Sequence, residues 1–222
     1  MSPRRRDTEG TAAARAGRRA ELLATAAEVF ASRGYAATTV REVADAAGIL
    51  GGSLYYHFDS KEAMVDEILS TFLDDMWAAY ERVLGAGLNA RDTLEGIVVE
   101  SFRSIDRHRP AVVIYQNESK HLATSERFRY LNESRRRFQE MWLDLLERGV
   151  REGAFRADLD PGLMYRFIRD TVWVAANWYD PGGRLSADDI AKQYLAMFLE
   201  GIQAGGSPGG SREPEPQEPR KP

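Results

Sequence analysis

The sequence predicts an all-α fold, because apolar residues recur every three or four positions along most of the 222 residues. No stretch alternates apolar and polar residues between hairpin turns, so strands are not expected. Glycine-rich and proline-containing turns, such as residues 85–87 and 180–183, divide the pattern into segments of helix length. The expected architecture is an N-terminal three-helix domain followed by a larger helical domain.

The composition is that of a globular protein without a membrane span. The chain is 43% hydrophobic and 29% charged, which is ordinary for a folded domain. It has no run of about 18 apolar residues that would cross a bilayer. Its first residues are basic but lack the apolar core of a secretion signal. We therefore expect a cytoplasmic protein with no membrane partner.

Few side chains in this sequence suit metal binding or nucleophilic catalysis. Cysteine is absent, which excludes disulfides, thiolate catalysis and cysteine-ligated zinc. The three histidines, His57, His108 and His121, lack the i, i+4 spacing of helical metal ligands. No phosphate-binding loop, nucleophile elbow or zinc-protease motif is present. The sequence therefore favours a protein that is not an enzyme, has no metal site and needs no cofactor.

The N-terminal domain, residues 17–60, has the pattern of a helix-turn-helix. After a first helix, Thr39 can cap a short helix over residues 40–47. A glycine turn separates it from a second short helix over residues 53–58. Asp59 or Ser60 then caps a long helix. Two short helices joined by a tight turn, with a longer helix after them, are typical of a DNA-binding domain.

The two ends of the chain are expected to be disordered. Residues 1–16 are rich in arginine, alanine and glycine, and the first helix is expected only over residues 17–32. Residues 204–222 combine glycine, proline and charge and cannot bury apolar area. The basic residues near the N-terminus have two open interpretations, entry into a DNA minor groove or a solvated tail. They are Arg4, Arg5, Arg6, Arg15, Arg18 and Arg19.

The larger domain is expected to span residues 61–203. Pro110 separates two of its helices, and Asp160 caps another that has Pro161 at its first position. Aromatic and aliphatic residues occur on every helix, so the domain can enclose an apolar cavity. Beyond the long helix, the expected helices cover about residues 91–107, 111–119, 125–152, 162–179 and 187–203.

Residues 38–64 resemble the DNA-binding region of the TetR family of transcriptional repressors. The resemblance rests on Thr39, Ala47-Gly48-Ile49, Leu54-Tyr55-Tyr56-His57-Phe58 and Lys61. It implies a homodimer that represses transcription by binding a palindromic operator in double-stranded DNA. It also implies that a small-molecule effector in the C-terminal domain releases the DNA, and that the last two helices form the dimer interface.

Two groups of residues are expected to contact the operator. Hydroxyl, imidazole and ammonium groups are donors for phosphates, and residues that open the second short helix approach the bases most closely. For Tyr55 a place in the core is an open alternative, and for His57 a capping role. The phosphate group is Thr39, Tyr55, Tyr56, His57 and Lys61, and the base group is Arg41, Leu50, Gly51, Gly52 and Ser53. Family members often have serine or lysine at Gly51, so base contacts are expected to be few.

Three segments, residues 47–67, 112–118 and 165–202, are similar to one branch of the family. That branch represses the genes for late cholesterol-ring (C and D ring) catabolism in actinobacteria. The similarity implies an effector that is a coenzyme A thioester of a steroid degradation intermediate. The alternative is a TetR-type repressor of an efflux or lipid gene that responds to another hydrophobic ligand. Two further rivals are an all-α thioester hydrolase and a ligand-free architectural DNA protein.

The expected effector site lies on the helix over residues 162–179. Arginines on an otherwise apolar helix are costly unless paired, and an arginine fork suits phosphate groups. The branch's ligand-contacting arginine and tryptophan match Arg169 and Trp173, whereas a further arginine is replaced by Asn177. An ion pair of Arg169 with Asp170 or Glu118 is the open alternative. The full set of candidates is Arg166, Arg169, Trp173, Asn177, Tyr115 and Gln116, with the run Arg135–Arg137 either at the cavity mouth or on a solvated face.

Overall fold

The structure, a computed structural model, describes residues 4–202, with side chains from residue 15 onward. Within this range the chain is helical and contains no strand, as predicted. The predicted tail, residues 204–222, lies outside the described residues, as do residues 1–3. The α-helices are α1 (Arg4–Arg33), α2 (Val40–Ala46), α3 (Gly51–Tyr55), α4 (Lys61–Leu84), α5 (Ala90–Leu122), α6 (Tyr130–Arg151), α7 (Pro161–Trp173) and α8 (Ala187–Ile202).

The first helix starts earlier than predicted. Residues 4–16, expected to be a disordered arm, continue α1 toward the N-terminus. Alanine has the highest helix propensity, and the segment 11–14 is a threonine followed by three alanines. At its other end α1 stops at Gly34, whose φ of +85° is the left-handed stop that the sequence predicts.

The helices α2 and α4 begin at caps that the sequence predicts. Thr39 opens α2 in a capping box, with its side chain accepting from the Glu42 N–H and the Glu42 side chain accepting from the Thr39 N–H. Ser60, one of the two expected caps, opens α4 by accepting from the N–H of Ala63 at 3.1 Å. The turn before α3 contains Gly48 at a φ of +66°. The helix-turn-helix geometry is therefore built from local capping and one left-handed glycine.

Pro110 bends a helix that the sequence predicts as two. α5 is continuous from Ala90 to Leu122, with non-helical angles at His108 (φ −127°, ψ 27°). Pro110 has no N–H to bond to the carbonyl of Asp106, so the turn before it opens. Next to the bend, the Arg109 guanidinium donates to the Ala176 carbonyl at 2.9 Å.

Two further helices are shorter than predicted because each has a 3₁₀ turn at one end. A 3₁₀ turn over Glu126–Phe128 precedes α6, and another over Val174–Asn177 follows α7. At the start of α7, Asp160 accepts from the N–H of Leu163 and Pro161 takes the first position, as predicted. The shortened α7 changes which residues share a face with Trp173, which matters for the cavity below.

A single apolar core joins the two parts of the chain. α4 contributes buried residues to both, with Val65 near the helix-turn-helix and Phe72 and Tyr80 in the larger domain. α5 packs against α1, α4, α6, α7 and α8, so it is the centre of the larger domain. No helix in the described part of the chain is long and apolar enough to cross a membrane.

Candidate DNA-binding surface and effector cavity

α3 presents an exposed side to solvent. Leu54 and Phe58 lie four residues apart and are buried, so they attach α3 to the core. Leu50, Tyr55 and Tyr56 are exposed by 81%, 57% and 68% of their surface. Large apolar and aromatic side chains are seldom left so exposed without a partner. The predicted alternative that Tyr55 packs in the core is therefore wrong.

The start of α3 is bare, as the sequence predicts. A Cβ built on Gly51 or Gly52 would meet nothing within 4 Å, so neither glycine is required by packing. Ser53 is exposed beside them, and its N–H donates to the Leu50 carbonyl at 2.8 Å. The surface formed by residues 50–53 offers backbone and small side chains to a partner.

The Thr39 hydroxyl is already used within the protein. It donates to the Glu42 carboxylate at 2.8 Å, and the Thr39 N–H donates to the same oxygen at 2.7 Å. These two hydrogen bonds, the backbone one first, lower the pKa of Glu42. Thr39 is exposed, but its predicted role as a phosphate donor would require it to leave this cap.

Lys61 has a role within the protein that the sequence did not predict. Its ammonium donates to the carbonyls of Tyr35 and Thr38, both at 2.9 Å, and lies 4.3 Å from the centre of the Tyr35 ring. An ammonium has three N–H donors, so two of them are occupied by the loop between α1 and α2. Lys61 therefore closes that loop onto α4 with two of its donors, and a phosphate contact through the third stays a prediction.

Two arginines of α1 frame the same surface. The guanidinium of Arg15 lies 4.5 Å from the centre of the exposed Tyr56 ring. Arg19 lies over the Phe58 ring at 4.5 Å and binds both carboxylate oxygens of Glu67. Arg19 thus joins α1 to α4 inside the protein, whereas Arg15 extends the basic surface beside α3.

The remaining residues predicted to contact DNA lie on α1, on α2 and after α3. Arg41 is exposed on α2, and Arg18 pairs with Glu21 along α1. His57 is half-buried, with its ring perpendicular to that of Tyr56 at 5.5 Å between centres. The side chains of residues 4–14, which include Arg4–Arg6, lie outside the described part of the chain.

The larger domain encloses a cavity of about 430 Å³. Buried and half-buried side chains, mostly aromatic and aliphatic, form its interior, and exposed side chains form its rim. The interior wall consists of Phe72, Met76, Tyr80, Val112, Tyr115, Ser119, Phe138, Trp142, Tyr165 and Trp173, the rim of Gln116, Lys120, Arg169, Asp170 and Val174, and Arg135 lies between them.

Four of the predicted effector residues line this cavity. Tyr115 and Trp173 form its wall with Phe72, whose ring is 6.0 Å and 6.3 Å from theirs in edge-on contacts. Gln116 and Arg169 lie at the rim. These contacts bring α4, α5 and α7 together around one apolar space.

For Arg169 the ion-pair alternative is confirmed, while its contact with an effector stays a prediction. It lines the cavity and binds Asp170 through two hydrogen bonds of 2.7 Å and 3.1 Å. The Arg169 hydrogen bond lowers the pKa of Asp170, so the pair stays ionised. Glu118, the other proposed partner, instead accepts from the backbone N–H of Tyr35 at 3.1 Å.

Arg166 and Asn177, both predicted in this site, do not line the cavity. Both are exposed to solvent. Asn177 follows Trp173 by four residues, which would share a face in an α-helix. The intervening 3₁₀ turn advances three residues per turn and rotates Asn177 away.

Other lining residues were not predicted as ligand contacts. Phe72, Met76 and Tyr80 recur at four-residue spacing on α4, a pattern that also describes an ordinary core stripe. Ser119 and Lys120 follow Gln116 by one helical turn, which was the available signal. Of the run Arg135–Arg137, only the first residue lines the cavity.

Exposed apolar side chains continue along α7 and α8. Leu163 and Phe167 lie on α7, and Val174 and Trp178 lie in and just after the 3₁₀ turn that follows it; all four are 43–59% exposed. Met197 on α8 is 80% exposed. Large exposed apolar patches often mark interaction surfaces. We refer to these five residues as the α7–α8 stripe.

These features define a class of protein: a regulator with a helix-turn-helix for DNA and a separate helical domain with a ligand-sized cavity. The chain belongs to the tetR family of bacterial regulatory proteins, which it matches over residues 22–68. Residues 87–202 match the tetracyclin repressor-like C-terminal domain.

The chain is similar to named repressors along most of its length. The HTH-type transcriptional repressor KstR2 of Rhodococcus jostii (strain RHA1) is 55% identical over 196 residues, which cover 88% of this chain and 94% of the relative. The structure of the ketosteroid transcriptional regulator KstR2 of Mycobacterium tuberculosis is 51% identical, with a TM-score of 0.81, and covers 84% of this chain and 95% of that one. The structure of AibR in complex with isovaleryl coenzyme A and operator DNA shares the fold at 23% identity, with a TM-score of 0.69, over 81% of this chain and 97% of that one. The protein is therefore a TetR-type transcriptional repressor and not an enzyme.

Proposed function

We propose that this repressor controls steroid-degradation genes and is released from its operator by a coenzyme A thioester of a steroid intermediate. The observation that carries the proposal is the cavity, whose largely aromatic lining also carries three cations, Lys120, Arg135 and Arg169. Its volume of about 430 Å³ falls in the range of about 300–1,000 Å³ that is usual for small-molecule sites. The relatives named KstR2 support the choice of steroid genes.

The charges of the cavity favour an amphipathic anion. Lys120, Arg135 and Arg169 line it, against the single lining carboxylate of Asp170. Because Asp170 is paired with Arg169, two cations have no lining carboxylate to neutralise them. A coenzyme A thioester joins an apolar acyl group to phosphates, which arginine forks bind well. AibR, which shares the fold, binds isovaleryl coenzyme A together with operator DNA.

We propose that the DNA-bound form is a dimer through the α7–α8 stripe. A five-residue α3 reaches few base pairs, so two copies on a palindrome are needed for specificity. In this arrangement Tyr55 and Tyr56 contact phosphates, and residues 50–53 approach the base edges. Half-sites would lie about 34 Å apart, or a multiple of that distance.

The release mechanism that we propose uses two connections between the cavity and the DNA-binding domain. The first is α4. It begins at Lys61, which anchors the loop between α1 and α2, and it continues to the cavity residues Phe72 and Met76. The second is α5, where Ser119 lines the cavity and its neighbour Glu118 holds the N–H of Tyr35. A ligand that displaces either segment changes the position of α3, and its preference for the displaced form sets how far DNA affinity falls.

The test is competition between candidate effectors and operator DNA. A fluorescent duplex, selected by the purified protein from a random library, is titrated and its anisotropy followed. Steroid-derived coenzyme A thioesters are expected to release it at concentrations where the matching free acids and neutral drugs do not. Release by neutral hydrophobic compounds alone would favour the alternative, a repressor of an efflux or lipid gene.

Two variants separate the proposed sites and serve as controls for each other. Tyr56→Ala is expected to weaken binding to every duplex while leaving thioester binding intact. Trp173→Ala is expected to leave operator binding intact while raising the thioester concentration needed for release. The opposite pattern in the anisotropy titration would show that the two sites are interchanged.

A further inference from the structure

One nitrogen in the effector cavity has no hydrogen-bond partner. Nη2 of Arg135 is shielded from solvent and makes no hydrogen bond. Its two neighbours in the chain differ, because Arg136 pairs with Glu140 and Arg137 with Glu81. A buried cationic donor without an acceptor is costly, and folded proteins seldom keep one without a use.

The residues that line the cavity include no free carboxylate that could accept a hydrogen bond from Arg135. Asp170 is the only acid among the residues that line the cavity, and it binds Arg169. Two phenols are close instead. Burial raises the pKa of Tyr115, and the charge of Arg135 together with a hydrogen bond between the two side chains opposes that shift. Burial also raises the pKa of Tyr165, and the charge of Arg135 opposes it. The guanidinium therefore lies near both phenols, while its Nη2 still has no acceptor.

Arg135 and Arg169 occupy different depths. Arg169 lies at the rim with 46% of its side chain exposed. The unpaired nitrogen of Arg135 is enclosed, on the same helix as Phe138 and Trp142 of the interior wall. A group that meets Arg135 thus belongs to the enclosed portion of a ligand, and not to a part that projects through the mouth.

We propose that Arg135 determines effector specificity by donating from Nη2 to a carbonyl or carboxylate oxygen on the enclosed ring portion of the ligand. This inference rests on the proposed function only in that the effector occupies this cavity. A site that has such a donor discriminates strongly against an analogue without the oxygen, because the donor is then left unpaired. A purely apolar wall would discriminate weakly between the two.

The test compares three coenzyme A thioesters that differ at one ring position. They are the 3-cyclohexylpropanoyl, 3-(4-oxocyclohexyl)propanoyl and 3-(4-carboxycyclohexyl)propanoyl thioesters, titrated by calorimetry. The unaltered protein is expected to bind one oxygen-bearing probe at least about tenfold more tightly than the plain ring, and the preferred probe identifies the acceptor. In Arg135→Met, which keeps an unbranched apolar stem and removes the donors, this ratio is expected to fall to about one.

Arg136→Met is the matched control, since Arg136 is 73% exposed and pairs only along its own helix surface. It is expected to keep the preference of the unaltered protein. The melting temperature of unliganded Arg135→Met checks folding independently. It is expected to equal or exceed that of the unaltered protein, because an unpaired buried charge has been removed.

The outcomes separate this inference from the proposed function. If all three thioesters bind with equal affinity, or if Arg135→Met keeps the preference, the role of Arg135 is refuted while the thioester proposal stands. If no thioester binds, the thioester proposal fails, and the three free acids test Arg135 by the same ratio. Equal binding or no binding of those acids then overturns the role of Arg135 as well.

Discussion

Replacement of Lys61 by methionine tests whether this residue holds the protein together or holds DNA. The Lys61 ammonium donates to two backbone carbonyls at 2.9 Å and lies 4.3 Å from the Tyr35 ring. Methionine keeps an unbranched side chain of similar length and removes all three interactions. The loop between α1 and α2 then loses its anchor to α4.

The cost follows from the contacts. A hydrogen bond to a charged group contributes about 1.5–3 kcal/mol, and an exposed cation–π contact about 0.5–1 kcal/mol. Lys61 is half-buried, so water partly replaces it at the carbonyls. We therefore expect the free energy of unfolding to fall by about 2–4 kcal/mol. For a chain of this length that corresponds to a melting temperature lower by about 4–16 °C.

The assay combines thermal unfolding with the salt dependence of DNA binding. If Lys61 is structural, Lys61→Met lowers the melting temperature as calculated, and the slope of log affinity against log salt stays unchanged at a temperature where the variant is folded. A phosphate ligand would behave in the opposite way. Each lost phosphate contact would reduce that slope by about 0.9, and the melting temperature would not move; that result would refute the reasoning.

Three further predictions concern packing, coupling and assembly. Gly149→Ala is expected to lower the free energy of unfolding by about 1–3 kcal/mol in chemical denaturation, because the new Cβ would overlap the Phe155 ring. Gly17→Ala is the control, since a Cβ there would meet nothing within 4 Å. Equal stability of the two variants would contradict this account of the packing. Glu118→Gln is expected to keep cavity binding but to raise the effector concentration for half-release of operator by about tenfold or less, and unchanged release in the anisotropy titration would exclude this connection. Phe167→Glu is expected to shift sedimentation from dimer toward monomer and to weaken operator binding, and an unchanged dimer would show that the stripe is not the interface.

Local signals in the sequence predicted the helix boundaries that depend on neighbouring residues. Thr39, Asp160 and Gly34 act in the structure as the caps and the stop that their chemistry suggests. The boundaries that failed depend on more than neighbours. Pro110 bends α5 without ending it, because tertiary contacts such as Arg109 with the Ala176 carbonyl hold both halves.

The side-chain roles were harder to predict than the fold. The family resemblance pointed to Trp173 and left Tyr115 as a candidate for the cavity wall, and both line the cavity. It could not show that α7 ends in a 3₁₀ turn, and so misplaced Asn177. Nor could it show that Lys61 finds two carbonyls from residues more than twenty positions away. Such contacts depend on how the loop returns to α4, which no local pattern encodes.

The bare start of α3 has a consequence for promoters. Glycine at two adjacent positions leaves little side-chain chemistry with which to tell one base from another. In the proposed dimer, discrimination must then depend on the distance and helical phase between the two α3 helices. Inserting one base pair at the centre of the palindrome should therefore impair repression more than any single substitution within a half-site. Natural operators should vary in base sequence but keep the spacing between their half-sites.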